Sequence, residues 1–153
     1  MANTYSQLSV HCVFAVKSRA NIIAKEWRDE LHQYISGIIK GLGATSLAVG
    51  GWNDHVHIFF GLPVTRSIAD LVGAIKANSS KWINEKKLVA GKFHWQNGYG
   101  AFSYSKSQRN AVINYITRQE AHHCRKTFKE EYLQMLTDFD IAYDEKYLFE
   151  FID

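Results

Sequence analysis

His55 and His57, the outer residues of His55-Val56-His57 in the run NDHVHIFFGL, are the first residues able to do chemistry. On a strand, successive side chains point to opposite faces, so the two imidazoles project from one face roughly 7 Å apart along the backbone. Imidazole binds several divalent metals, and a strand fixes the direction of such a pair. In NAVINYITRQEAHH, Tyr115 and Gln119 lie one helical turn apart and would share a helix face. Gln119 can offer a carbonyl oxygen, and a His, His, Gln set leaves positions for water and phosphate oxygens around an octahedral ion. Tyr115 could attack phosphorus and leave a covalent phosphotyrosine, conserving bond energy for rejoining. A free phenol titrates near about 10, so a metal or cationic surroundings must favour the phenolate as it forms. The competing readings are histidines satisfied by core hydrogen bonds and a packed tyrosine, one of eight.

The elements that must position these residues follow from periodicity. Tyr5 to Val16 alternates polar and apolar residues as a strand does. From about Lys25 to Leu42, Trp27, Leu31, Tyr34, Ile35, Ile38 and Ile39 recur at helical spacing, with Gly41 and Gly43 as stop signals. TSLAVG and HVHIFFGL, separated by a turn in Gly50 to Asp54, read as neighbouring antiparallel strands. Ser67 is a candidate N-cap for a helix reaching about Lys87. A further strand is expected over Ala101 to Ser105, then a helix from about Ser107 to His123 and a short one containing Phe128, Tyr132, Leu133 and Leu136. The order predicts an α+β, ferredoxin-like (RRM-like) βαββαβ antiparallel sheet with C-terminal helices that carry the tyrosine. No repeat or linker interrupts it, so residues 1–153 read as one domain.

The 153 residues are 46% hydrophobic and 14% aromatic, enough for a core. The sequence has no apolar stretch long enough to span a bilayer and no signal-peptide pattern, which points to a cytoplasmic protein. Cys12 and Cys124 form no close pair and read as buried structural thiols. The net charge is +3, but from Leu136 onward six acids face only Lys146, so the tail carries −5 and the body +8. A body with Lys76, Lys81, Lys106, Arg109, Arg118, Arg125 and Lys126 could meet phosphates, or could simply be a solvated surface.

Several ordered blocks, GGWNDHVHIFFGLP, IKANSSKWIN, WQNGYGAFSYSKSQ and NYITRQEAHHCRKTFKEEY, resemble the single-tyrosine transposases of small bacterial insertion sequences. These include the repetitive-element-associated tyrosine transposases and belong to the His-hydrophobe-His nuclease superfamily; the resemblance covers almost the whole chain. It implies that His55 and His57 bind Mg²⁺ or Mn²⁺, that Gln119 completes the ligands, and that Tyr115 attacks the scissile phosphate. It also implies a homodimer in which the tyrosine helix of one subunit can complete the histidine site of the other, an arrangement in trans that the sequence does not distinguish from one in cis. The implied substrate is a hairpin in single-stranded DNA, cleaved to a 5′-phosphotyrosine and a 3′-hydroxyl that later reseals the strand.

Other residues carry weaker signals. His122 and His123 can share the face of Gln119, as ligands or, preferably, facing solvent or phosphate; His11 and His94 read as structural. Asn53 and Asp54 favour a turn, and Asp54 could orient an imidazole. In WQNGYGAFSYS, Tyr99 and its neighbours could stack on bases while Gln96 or Asn97 hydrogen-bonds one; alternatively Trp95, Tyr99 and Phe102 pack into the core. Lys76, Ser79, Ser80 and Lys81 could form a phosphate-contacting helix face or a solvated one. Two other functions compete: a non-catalytic or domesticated single-stranded nucleic-acid-binding protein, of which a pure binder needs no convergence of the four site residues, and a metal-dependent hydrolase using water as nucleophile.

Overall fold

The computed structural model describes residues 3–123 and 125–152, so the expectation for Cys124 lies outside the described residues. Four strands form one sheet: β1 (Ser9–Ala15), β2 (Thr45–Gly51), β3 (His55–Gly61) and β4 (Gly100–Tyr104). Their order is β2-β3-β1-β4 and every pairing is antiparallel. Helix α1 (Lys25–Gly41) connects β1 to β2, and α2 (Ile68–Glu85) connects β3 to β4. Each crossover skips a strand, which is the split βαβ arrangement of the ferredoxin-like fold. The Ser67 hydroxyl caps α2 by accepting from Asp70 N at 3.0 Å, as its residue type predicted. Strand β1 begins at Ser9, later than its alternation suggested, and residues 3–8 are exposed.

The sheet divides its side chains strictly. Cys12, Phe14, Val56, Ile58 and Phe60 pack beneath α1 and α2 with Leu31, Ile35, Leu71 and Ile75 in the main core. His11, Val13, His55, His57 and Phe59 alternate with them, and so belong to the opposite face. Three C-terminal helices cover that second face: α3 (Arg109–Thr117), α4 (Gln119–His123) and α5 (Phe128–Asp138). Val112 and Ile116 of α3 meet Phe59, while Phe128, Tyr132, Met135 and Leu136 of α5 meet Val13, Ala15 and Phe102. The cover is tight at Gly50, where a Cβ would stand 2.3 Å from the Ile116 carbonyl oxygen, so only glycine lets α3 seat on β2.

The helix expected over Ser107 to His123 is two helices. Arg118 leaves helical geometry (φ −108°, ψ 29°), and the Gln119 side-chain amide donates to the Tyr115 carbonyl at 3.3 Å. A continuing helix would give that carbonyl to the Gln119 backbone N–H. α5 opens with a reciprocal capping box between Thr127 and Glu130. The tail after it closes back over the aromatic cluster, with Phe149 against Phe128 and Tyr132.

Candidate metal centre and active site

His55 and His57 are fully buried on β3, aimed at the layer beneath α3–α5. Each is tied through Nδ1. His55 Nδ1 donates to Asp54 Oδ1 at 2.7 Å, and His57 Nδ1 lies 2.8 Å from His11 Nε2 on the adjacent strand. Fixing one nitrogen of an imidazole by a neighbour orients the other, as in metal-ligating histidines. Phe128 stacks parallel on the His55 ring at 4.0 Å and limits its rotation.

Both free Nε2 atoms meet one carboxylate that sequence reading missed. Glu131 Oε1 is 3.2 Å from His55 Nε2 and 3.2 Å from His57 Nε2. Its other oxygen accepts from the Tyr115 hydroxyl and, at 3.2 Å, from Gln119 Nε2. His122 Nε2 and His123 Nε2 stand 3.2 and 3.3 Å from the same carboxylate. Gln119 Oε1 lies 3.1 Å from His55 Nε2 and 2.8 Å from His123 Nε2. The structure thus brings Tyr115, His55, His57 and Gln119 together within one chain, around Glu131. A signal for Glu131 existed in the sequence: with Phe128, Tyr132 and Met135 it occupies one helix face, an acid inside an apolar stripe.

Buried charge sets the titration of the cluster. Burial alone would lower His55, but hydrogen bonds with Asp54 and Glu131 raise it to about 9. For His57, burial outweighs the Glu131 charge and pulls the imidazole below its usual range. Burial pushes the Glu131 carboxyl up, yet His57, His123 and His55 hold it well below the ordinary carboxylate range. Burial and the neighbouring carboxylate together push the Tyr115 phenol up, so it is protonated in this arrangement.

Ligand atoms of His55, His57 and Glu131 all lie within 4.8 Å of one another. Two imidazole nitrogens and a carboxylate oxygen, with the Gln119 carbonyl alongside, suit a divalent ion that prefers nitrogen and oxygen donors. The donor set therefore fits a metal, and the phenol sits beside it: the Tyr115 and His57 rings are 5.7 Å apart, edge to face.

The other candidate residues are elsewhere. Lys76 donates to the Gln96 and Gly98 carbonyls at 2.8 and 2.6 Å, and burial lowers its ammonium to about 8. The Gln96 amide donates to the Val16 and Glu150 carbonyls and its oxygen accepts from Glu150 N. Trp95 and Phe102 are buried and Tyr99 packs against the core, so these aromatics fold the loop. Asn97 is exposed, and Lys81 is exposed on α2, across the sheet from the tyrosine. Arg118 alone of this set lies next to the site, lining a groove with Tyr115. Cys12 is buried, as expected. Among the described residues no helix is long and apolar enough to cross a membrane.

The ferredoxin-like sheet buries its paired histidines beneath C-terminal helices, one of which carries the half-buried Tyr115, and the family that the chain matches is one of DNA-processing proteins. The chain belongs to the IS200-like transposase family, whose model matches residues 4–119. It is similar to the ISDra2 transposase TnpA of Deinococcus radiodurans, 26% identical over 119 residues, 74% of this chain and 84% of that protein. Its fold resembles a crystal structure described as that of a transposase from Deinococcus radiodurans R1 (TM-score 0.62, 24% identity, 78% of this chain and 95% of that one). It also resembles a REP-associated tyrosine transposase bound to a REP hairpin (TM-score 0.58, 13% identity, 80% and 73%). Glu131 lies beyond the matched residues, on α5.

Proposed function

We propose that this transposase cleaves and rejoins single-stranded DNA at hairpin-bearing element ends through a phosphotyrosine on Tyr115, acting in the cytoplasm as one His-hydrophobe-His nuclease domain over residues 1–153. The observation that carries this reading is the convergence of Tyr115, His55, His57 and Gln119 on one buried point, which neither a pure binder nor a structural histidine pair requires. The REP hairpin held by a protein of the same fold supports a DNA hairpin as the partner.

In this mechanism His55, His57 and Gln119, joined by Glu131, would hold Mg²⁺ or Mn²⁺, which would supply polarisation of the scissile phosphate. Asp54 and His11 keep the two imidazoles oriented. The Tyr115 oxygen bonds to phosphorus, the bond from phosphorus to the 3′-oxygen breaks, and that oxygen takes up the proton the phenol has given up, leaving as a 3′-hydroxyl. Glu131, already accepting from the phenol, is placed to receive its proton. Rejoining reverses the step with a 3′-hydroxyl as nucleophile.

Arg118, Lys81 and Asn97 are exposed and would meet DNA, Lys81 beside its helix neighbour Glu85, whereas Lys76, Gln96 and Tyr99 act by shaping the loop that carries Asn97. The aromatic face that a ferredoxin-like binder would offer to bases is covered by α3 and α5, which disfavours the non-catalytic reading. Two copies pair as a homodimer, and Tyr115 serves its own chain's histidines, since it reaches them without a second copy. The test is incubation with labelled single-stranded DNA containing the hairpins that flank the coding sequence, plus Mn²⁺. A denaturant-resistant adduct that disappears in Tyr115→Phe is expected. Cleavage that survives Tyr115→Phe without an adduct would instead show water as the nucleophile.

A further inference from the structure

Tyr115 stands on the wall between two concavities of opposite character. On one side, a cavity of about 300 Å³ opens between α3 and α5, with Val112 and Met135 as apolar lining and Tyr104 as a second aromatic wall. On the other, an open groove of about 460 Å³ is lined by Asn114, Arg118 and Arg125. Ala111, Tyr115 and His122 belong to both. The surroundings thus change across the phenol, from aromatic and apolar walls with the Glu131 and Asp138 carboxylates and Lys126 among them to a groove whose charged residues are both arginines. A single-stranded nucleotide has the same division, a flat base on one side and a phosphate on the other.

We infer that the cavity between α3 and α5 seats the nucleobase of the nucleotide adjoining the phosphate that Tyr115 attacks, while Arg118 and Arg125 follow the strand's phosphates. The inference rests on the reading of Tyr115 as nucleophile and adds a specificity-determining pocket to it. A volume of about 300 Å³ is at the lower end of ligand-sized clefts, room for one base and not for a duplex end. The Tyr104 ring is held edge to face by Phe59 and Phe139, at 6.2 and 5.4 Å, and so forms a fixed wall. Polar groups at the margin can read the base edge. The Gln108 oxygen is engaged by Ser105 N at 3.1 Å, which leaves its amide NH₂ to donate. Gln134 donates to Asp138 at 2.8 Å, placing a carboxylate on the same cavity as an acceptor. A base seated here would pin the adjoining phosphate next to the phenol, and so couples sequence preference to the rate of attack.

The chain has two methionines, Met1 and Met135, so methyl-¹³C methionine labelling places one of only two probes in the cavity wall. Titration with the four deoxynucleoside 5′-monophosphates should move the Met135 methyl signal upfield by the base's ring current. 2-Deoxyribose 5-phosphate should leave it in place. Ala111 is exposed on α3 and lines the cavity, so Ala111→Trp should fill it, with melting confirming the fold, and abolish the shift. In the cleavage assay, abasic replacement of the nucleotide beside the cleaved bond should slow adduct formation about tenfold, the effect of losing one stacked base. The same replacement should matter little in Ala111→Trp. A Met135 signal unmoved by every nucleotide, or moved equally by the sugar phosphate, overturns the inference. So does adduct formation indifferent to abasic replacement on either side of the bond. Absence of any Tyr115 adduct is a separate result and overturns the nucleophile reading instead.

Discussion

Replacing Glu131 by glutamine should both weaken metal binding and destabilise the metal-free fold, and the two effects can be measured apart. The substitution keeps the side chain's volume but removes the carboxylate whose Oε1 faces both His55 and His57 at 3.2 Å. Loss of an outer-shell partner typically weakens a metal site by about 10–100-fold, and a direct donor should count for at least as much. With free Mn²⁺ at about one hundred times the wild-type Kd, linkage gives the native state about 2.7 kcal/mol of stabilisation. At tenfold weaker affinity the same metal gives about 1.4 kcal/mol, and at a hundredfold about 0.4 kcal/mol. Without metal, Glu131→Gln should also lose stability, because His55 is raised to about 9 partly by this carboxylate and breaking a buried ion pair costs about 3–5 kcal/mol. Urea unfolding of both proteins with and without Mn²⁺ separates the two effects, since only the metal-dependent increment reports ligation. An increment equal to that of wild type would refute Glu131 as a ligand. Gln119→Ala in the same assay ranks the two oxygen donors.

His57→Ala should abolish cleavage while the protein still shifts a hairpin-bearing strand in a gel, because the basic residues remain. Mixing Tyr115→Phe with His57→Ala chains should restore no adduct if each tyrosine serves its own chain, whereas exchange between subunits would rebuild one intact site per mixed dimer. Burial lowers His32 to about 4 from 6.5, so the unfolded chain takes up a proton that the fold resists. Stability should therefore fall as pH drops from about 6.5 towards 4, by about 2 kcal/mol between pH 7 and 5, and His32→Gln should flatten that slope in urea melts. Gln96→Ala removes three hydrogen bonds to the Val16 and Glu150 backbone and should cost about 1–3 kcal/mol, with faster proteolysis after Tyr147.

The strand order was legible because apolar alternation in HVHIFFG and the capped, periodic stretches around α1 and α2 leave few alternatives. The same alternation put His55 and His57 on one face. Periodicity failed at Arg118, where nothing in the sequence forbids a continuous helix; the break depends on a Gln119 side chain that bonds back to Tyr115. Glu131 stands out in sequence only as an acid within an apolar helix stripe, because its partners lie on β3, α3 and α4 and only folding brings that face to them. Lys76 and Gln96 looked like DNA contacts by residue type, but their hydrogen bonds close a loop and hold the tail, contacts between residues as far apart as Val16 and Glu150. His11 was assigned a structural role from sequence, and its position against His57 Nδ1 gives that role a function.

Strand transfer through a phosphotyrosine requires that Tyr115 become covalently joined to DNA. After reaction with hairpin-bearing single-stranded DNA and Mn²⁺, followed by nuclease and protease digestion, mass spectrometry of the peptide containing residue 115 tests it directly. A nucleotide joined through a 5′-phosphate to Tyr115 is the expected result, absent when His57 is alanine. Cleaved DNA with unmodified Tyr115, or a nucleotide on any other residue, would contradict the account.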